Sequence, residues 1–120
     1  MDSATITKPP KATCTVYLRA VHDSLDILGG KWKIAILGAL KFGNHRFKDL
    51  QREVTGITAK MLSKELKELE MNELVKRTVY DSKPVTVEYE LTNYGASLDD
   101  VLDALMAWGV AHRKRIMVKK

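Results

Sequence analysis

The stretch Thr58 to Asn72, TAKMLSKELKELEMN, constrains the fold more than any other part of the chain. Leu62, Leu66 and Leu69 recur at i, i+4 and i+7, the spacing of one apolar stripe on a helix. Lys60, Ser63, Lys64 and Lys67 recur at i, i+3, i+4 and i+7 on the opposite side, with no carboxylate among them. The acids Glu65, Glu68, Glu70 and Glu73 fall on the flanks or towards the C-terminal end. Thr58 stands where an N-cap is needed, since its hydroxyl can accept from a free backbone N–H of the first turn. A helix buried on one side and lysine-faced on the other suits insertion into a DNA groove. The same pattern also describes a surface helix whose lysines are simply solvated, so the neighbouring segments have to decide.

Those neighbours supply a recognisable order of elements. Lys31 to Leu40 is apolar on nearly all sides, which marks a buried helix. Gly43-Asn44 is a turn, His45-Arg46-Phe47 a very short strand, and Lys48 to Val54 a helix with Phe47, Leu50 and Val54 inward. Thr55-Gly56 then turns the chain into the lysine-faced helix, completing a helix-turn-helix with Trp32, Leu37, Leu62 and Leu66 in its core. After Asn72 the period changes. The run from Leu74 to Tyr80 is rich in β-formers, Asp81-Ser82-Lys83-Pro84 carries turn residues, and Val85, Val87, Tyr89 and Leu91 alternate with Thr86, Glu88, Glu90 and Thr92. A hairpin directly after a helix-turn-helix is the winged-helix arrangement.

Both ends of the chain add helices. The spacing of Leu18, Val21, Leu25 and Leu28 predicts a first helix over about Thr15 to Leu28, stopped by Gly29-Gly30. Residues 1 to 13 read as a flexible arm, and residues 14 to 120 as one winged helix-turn-helix domain. A last helix of about 22 residues is expected from Asn93 to Lys114, capped by Thr92, with Leu98, Val101, Leu102, Leu105 and Trp108 on one face. Its second apolar strip, Met106 and Val110, points elsewhere and is surplus to a small core. The terminal helices are therefore expected to form a homodimer interface. The fold class expected is α+β, mainly α, a winged helix-turn-helix with a long C-terminal dimerisation helix.

Charge and composition narrow the function. Twenty Lys and Arg against fifteen acids leave an excess of five positive charges on 120 residues, which favours an anionic partner. No apolar run approaches the roughly 20 residues that a membrane span needs, and the N-terminus lacks the apolar segment of a signal peptide. A cytoplasmic protein with no membrane partner is expected. Gly29-Gly30-Lys31 lacks the glycine spacing and the following Ser or Thr of a phosphate loop. His22 and Asp26 form an i, i+4 pair, but three histidines in all and one cysteine leave little for a metal site. No cofactor, no metal and no enzymatic activity are expected. His45, in a turn, could approach a phosphate or simply be exposed. The run from Arg113 to Lys120 has five basic residues and no acid, as either a solvated terminus or a phosphate contact.

Several segments together resemble the HxlR-type family of bacterial winged-helix regulators, relatives of the MarR type. They are Leu28-Gly29-Gly30-Lys31-Trp32-Lys33, Arg46-Phe47-Lys48-Asp49-Leu50, Ile57 to Leu62 with Leu66 to Glu70, Val87 to Leu98, and Trp108-Gly109. The similarity runs from about Ala20 to Gly109. It implies a dimeric, sequence-specific DNA-binding transcription regulator, with repression as the expected outcome. Two departures from the family pattern stand out. The wing has one proline, Pro84, and carries Thr86 where a basic residue is usual, leaving Lys83 as the basic wing-tip residue. Where many members have a cysteine before the double glycine, this chain has Arg19, and Cys14 lies five residues upstream.

The expected DNA contacts follow. Thr58, Lys60, Ser63, Lys64 and Lys67 belong to the groove-facing helix, and Arg46 and Lys83 act as backbone clamps on double-stranded DNA. Cys14 is the candidate for redox or electrophile sensing, against the alternative of an ordinary unreactive thiol. The competing function is a winged-helix protein–protein adaptor without sequence-specific DNA binding.

Overall fold

The computed structural model describes residues 11–118. Six helices and three strands follow in the order α1 (Lys11–Leu28), α2 (Lys33–Leu40), β1 (His45–Arg46), α3 (Phe47–Glu53), α4 (Ala59–Met71), β2 (Val75–Tyr80), β3 (Thr86–Leu91), α5 (Asn93–Ala96) and α6 (Asp99–Val118). This is the winged helix-turn-helix expected from the sequence. Among the described residues no helix is long and apolar enough to cross a membrane.

The core gathers where α2, α3 and α4 meet the sheet. Ile36 and Leu37 of α2, Leu50 of α3, and Leu62, Leu66 and Leu69 of α4 are fully buried, joined by Leu74, Val75 and Tyr89 from the sheet side. At roughly 1.5–3 kcal/mol per buried aliphatic side chain, this cluster is the main source of stability. Trp32 is packed against the core only in part, and precedes α2 as its N-cap residue. Its ring lies under the turn at Gly56, a residue with φ of +90° that a side chain would strain.

The sheet is antiparallel in the order β1-β3-β2. His45 opposes Tyr89 and Arg46 opposes Glu88 on one edge of β3, while Val75 to Tyr80 pair with Leu91 to Thr86 on the other. With β3 central, even its outward residues Thr86, Glu88 and Glu90 are half-buried. The expected alternation holds for Tyr89, Val87 and Leu91 but fails at Val85, which lies beyond the paired strand and is exposed.

Two differences from the sequence reading concern the termini, the start of α1 and a break in the last helix. The arm expected over residues 1–13 lies outside the described residues as far as residue 10, and α1 already begins at Lys11, so Cys14, expected just ahead of the first helix, lies within it. Val21 and Leu25 do not enter this chain's core. The α1 stripe faces outward, with Leu25 62% exposed. The single helix expected from Asn93 is broken in two. Ser97 and Leu98 donate their N–H groups to the carbonyls of Tyr94 and Gly95, an i→i−3 pattern that tightens and ends α5. The Ser97 hydroxyl takes the Tyr94 carbonyl as well, the local competition that favours helix ends. Asp99 and Asp100 then open α6, where the helix dipole favours negative charge.

Apart from Leu102, every described residue of α6 is exposed, Trp108 by 67%. The radius of gyration is 17.5 Å, against about 14 Å for a compact domain of this length. Two long helices carrying apolar stripes thus stand out from the body. Lys41, at the end of α2, pairs with Asp99 at 3.2 Å and Asp103 at 3.0 Å and ties the base of α6 to the core.

Candidate nucleic-acid interface

The lysine-faced helix is held from both ends. Thr58 has extended backbone, and its hydroxyl accepts from the Met61 N–H at 3.1 Å, the cap expected of it. At the other end Glu73 adopts φ of +62°, and the N–H groups of Leu74 and Glu73 reach the carbonyls of Leu69 and Glu70. That is a Schellman closure with a non-glycine residue in the left-handed position. It is fastened by Leu69 and Leu74, both buried. Between these ends Lys60, Ser63, Lys64 and Lys67 are all exposed on one side, while Leu62, Leu66 and Leu69 are buried on the other.

Arg46 ends β1 and serves as the exposed N-cap residue of α3. It lines an open groove of about 580 Å³ between α3 and the wing, together with Lys48, Asp49 and Arg52 and with Pro84 to Val87. Arg52 lies 3.6 Å from Asp49 and is largely exposed. Two basic residues not singled out from the sequence, Lys48 and Arg52, therefore share a groove with Arg46. Pairing of β1 with β3 brings them to the base of the wing. Lys83 is at the wing tip, exposed, ahead of a cis peptide to Pro84. There the Ser82 hydroxyl donates to the Pro84 carbonyl at 2.8 Å.

His45 is neither free nor aimed outward. Its ring nitrogens sit 2.7 Å from the Gly43 carbonyl and 2.9 Å from Glu53, so it fastens β1 to the end of α3. His22 and Asp26 approach to 3.8 Å on an exposed face of α1. Cys14 is exposed. It falls in line with Leu18, Val21 and Leu25 at i, i+4, i+7 and i+11 of α1.

The most consequential residues missed from the sequence are Lys33 and Glu65. Glu65 does not sit on a solvated flank; it is 5% exposed, between the leucines of α4. Its carboxylate meets the Lys33 ammonium at 3.1 and 3.3 Å, and the same ammonium bonds Glu68 at 2.7 Å. Burial alone would lower the Lys33 pKa, but its hydrogen bonds to Glu68 and Glu65 outweigh it and hold the ammonium above its ordinary value. The bond from Lys33 correspondingly holds Glu68 below the usual carboxylate range. A signal was present, since Glu65 stands at i+3 from Leu62 and i−4 from Leu69, at the edge of the apolar stripe. An acid there needs a cation from another element.

Comparison with known proteins gives a consistent assignment. A family model described as HxlR-like helix-turn-helix matches residues 27–117. The HTH-type transcriptional regulator YtcD of Bacillus subtilis (strain 168) is 45% identical over 100 residues, 83% of this chain and 79% of the relative. A crystal structure of the ytcD regulator is 46% identical with a TM-score of 0.75, covering 78% of this chain and 96% of that one. The redox regulator HypR in its reduced form superposes with a TM-score of 0.77 at 35% identity, over 82% of this chain and 98% of that one.

Proposed function

The chain belongs to the HxlR-like helix-turn-helix family of transcriptional regulators, and on that premise we propose that it binds a palindromic DNA operator as a homodimer and represses transcription. The observation that carries this reading is the α4 face. Four polar or basic side chains at helical spacing stand free of acids on a helix that is capped, closed and anchored by leucines. A helix so held can enter the major groove without paying to order itself. Lys60, Ser63, Lys64 and Lys67 make groove and adjacent phosphate contacts, and Thr58 fixes the leading turn. Arg46 and Lys83 grip the backbone from the base and the tip of the wing. A protein–protein adaptor would have no use for this uninterrupted basic face.

The homodimer rests on the stripes of α1 and α6. Val21 and Leu25 on α1, with Leu105, Met106, Trp108 and Val110 on α6, are exposed in the single chain. Exposed apolar stripes of this length mark a partner site, and a twofold partner repeats the same surface. Selection of bound fragments from the source genome should recover a palindrome. Footprinting should protect two major-groove segments about 34 Å apart. Sedimentation should give a dimer. A monomer at micromolar concentration with and without DNA, or no enriched fragment, counts against the reading.

The thiol extends the same proposal. Structures of HypR in oxidised form and of diamide-treated YodB exist among the similar proteins. In this chain Cys14 continues the α1 apolar stripe, so a group added to its sulfur would intrude where two α1 helices meet. Diamide or a quinone should lower operator affinity of the wild type and leave Cys14→Ser unchanged. Equal responses in the two proteins remove Cys14 from the mechanism.

A further inference from the structure

We propose that Lys33 is a positioning residue for the DNA-reading face: reaching across from α2, it sequesters Glu68 and so leaves Lys64 free for the nucleic acid. The inference rests on the reading of α4 as the groove-facing helix.

Glu68 lies at i+4 from Lys64, where side chains on a helix are neighbours and opposite charges pair. Lys64 is close enough to help keep Glu68 ionised. An unrestrained Glu68 would therefore compete with DNA phosphates for Lys64, and an engaged lysine releases no counterion on binding. The structure shows a different arrangement. The Glu68 carboxylate is 2.7 Å from the Lys33 ammonium, on the α2 side of the helix. Lys33 is fixed in turn by Glu65, whose buried carboxylate meets it at 3.1 Å.

Each member has a separate task. Glu65, with 7% side-chain exposure, is sheltered enough to fix the ammonium at the seam between the helices. Apolar contacts between α2 and α4 bury area but have no preference for where a flanking carboxylate swings. A hydrogen-bonded cation supplies that preference. Two acids on one lysine leave a residual negative charge, so Lys33 cannot be dispensed with while both acids remain.

The test uses the full chain and an operator duplex from the fragment selection. Lys33→Met combined with Glu65→Gln removes the cation without stranding a buried carboxylate, and frees Glu68. We expect operator affinity to fall at least about fivefold, and the slope of log affinity against log salt to flatten by about one. Adding Glu68→Gln should restore the slope and most of the affinity. A merely structural Lys33 would alter the melting temperature of these variants but would not make affinity depend on Glu68. Wild-type affinity in the Lys33→Met/Glu65→Gln protein, or no recovery on adding Glu68→Gln, overturns the inference. Should that protein not fold, Glu68→Gln alone decides. A change under about twofold is expected because Glu68 is already occupied, whereas a several-fold gain would mean that Glu68 holds Lys64 in the wild type. Lys64→Ala is the control. If it binds as wild type does, the α4 reading itself fails, and this inference with it. If it weakens binding while Lys33→Met/Glu65→Gln does not, only the role of Lys33 is lost.

Discussion

Gly95→Ala should remove about 3 kcal/mol of folding stability, read as a fall of about 12 °C in the thermal midpoint. A Cβ on Gly95 would run into the Leu74 carbonyl oxygen, with the Leu74 carbonyl carbon at 3.1 Å behind it. Neither backbone has room to withdraw. The Leu74 carbonyl accepts from the Thr92 N–H at 3.1 Å, and the Leu74 N–H closes α4 on Leu69 at 3.0 Å. Gly95 itself is held by the Thr92 hydroxyl, which accepts from its N–H at 2.9 Å and donates to the Glu73 carbonyl at 2.6 Å. The side chain of Leu74 is in the core. Any shift therefore moves the end of α4 or the start of α5, and the loss is not confined to the turn. Gly38→Ala supplies the contrast. Gly38 is helical, at ordinary φ, with nothing within 4 Å of its added Cβ. Alanine there should raise stability by about 0.5–1 kcal/mol, since glycine costs that much inside a helix. Thermal melts of the two variants give the comparison, and a Gly95→Ala protein that melts with the wild type would contradict the packing described.

Gly95 also shows why parts of the fold were not legible in the sequence. Thr92 read correctly as a cap, but the break after Ala96 is made by the i→i−3 bonds of Ser97 and Leu98 and the Ser97 hydroxyl, beside the close approach of Gly95 to Leu74. Helical spacing continues through Leu98, Val101 and Leu102 without a gap, so periodicity alone joins α5 to α6. The elements that were legible are those whose signals are local. Thr58 and its leucines gave α4 to within a residue, the turn at Gly56 joined it to α3, and the alternation around Tyr89 gave the wing. Periodicity also identified the apolar faces of the terminal helices, such as Val21 and Leu25 on α1, without saying what covers them. Lys33 is 32 and 35 residues from its partners. A pairing that distant leaves no trace in spacing beyond the misplaced acid among leucines. The same applies to Arg52, which joins Arg46 only through the packing of α3 beside the wing.

The Lys60→Ala/Lys64→Ala protein should bind its operator about ten- to a hundredfold more weakly than the wild type at moderate salt, while melting at the same temperature. Both lysines are exposed and have the leucine stripe at their back, so truncation removes charge without opening the core. Each lost phosphate contact takes with it about one released counterion, and the salt dependence should flatten by about two. A loss spread equally over operator and unrelated duplex would mark the lysines as phosphate contacts. A loss concentrated on the operator would mark them as readers of base edges. Either result places α4 against DNA. The most direct measurement is therefore operator affinity of the wild type and of Lys60→Ala/Lys64→Ala across a salt series, alongside their melting curves. Weaker binding, a flatter slope and an unchanged melt are expected; equal affinity and equal slope in two folded proteins would contradict the assignment of this face to DNA.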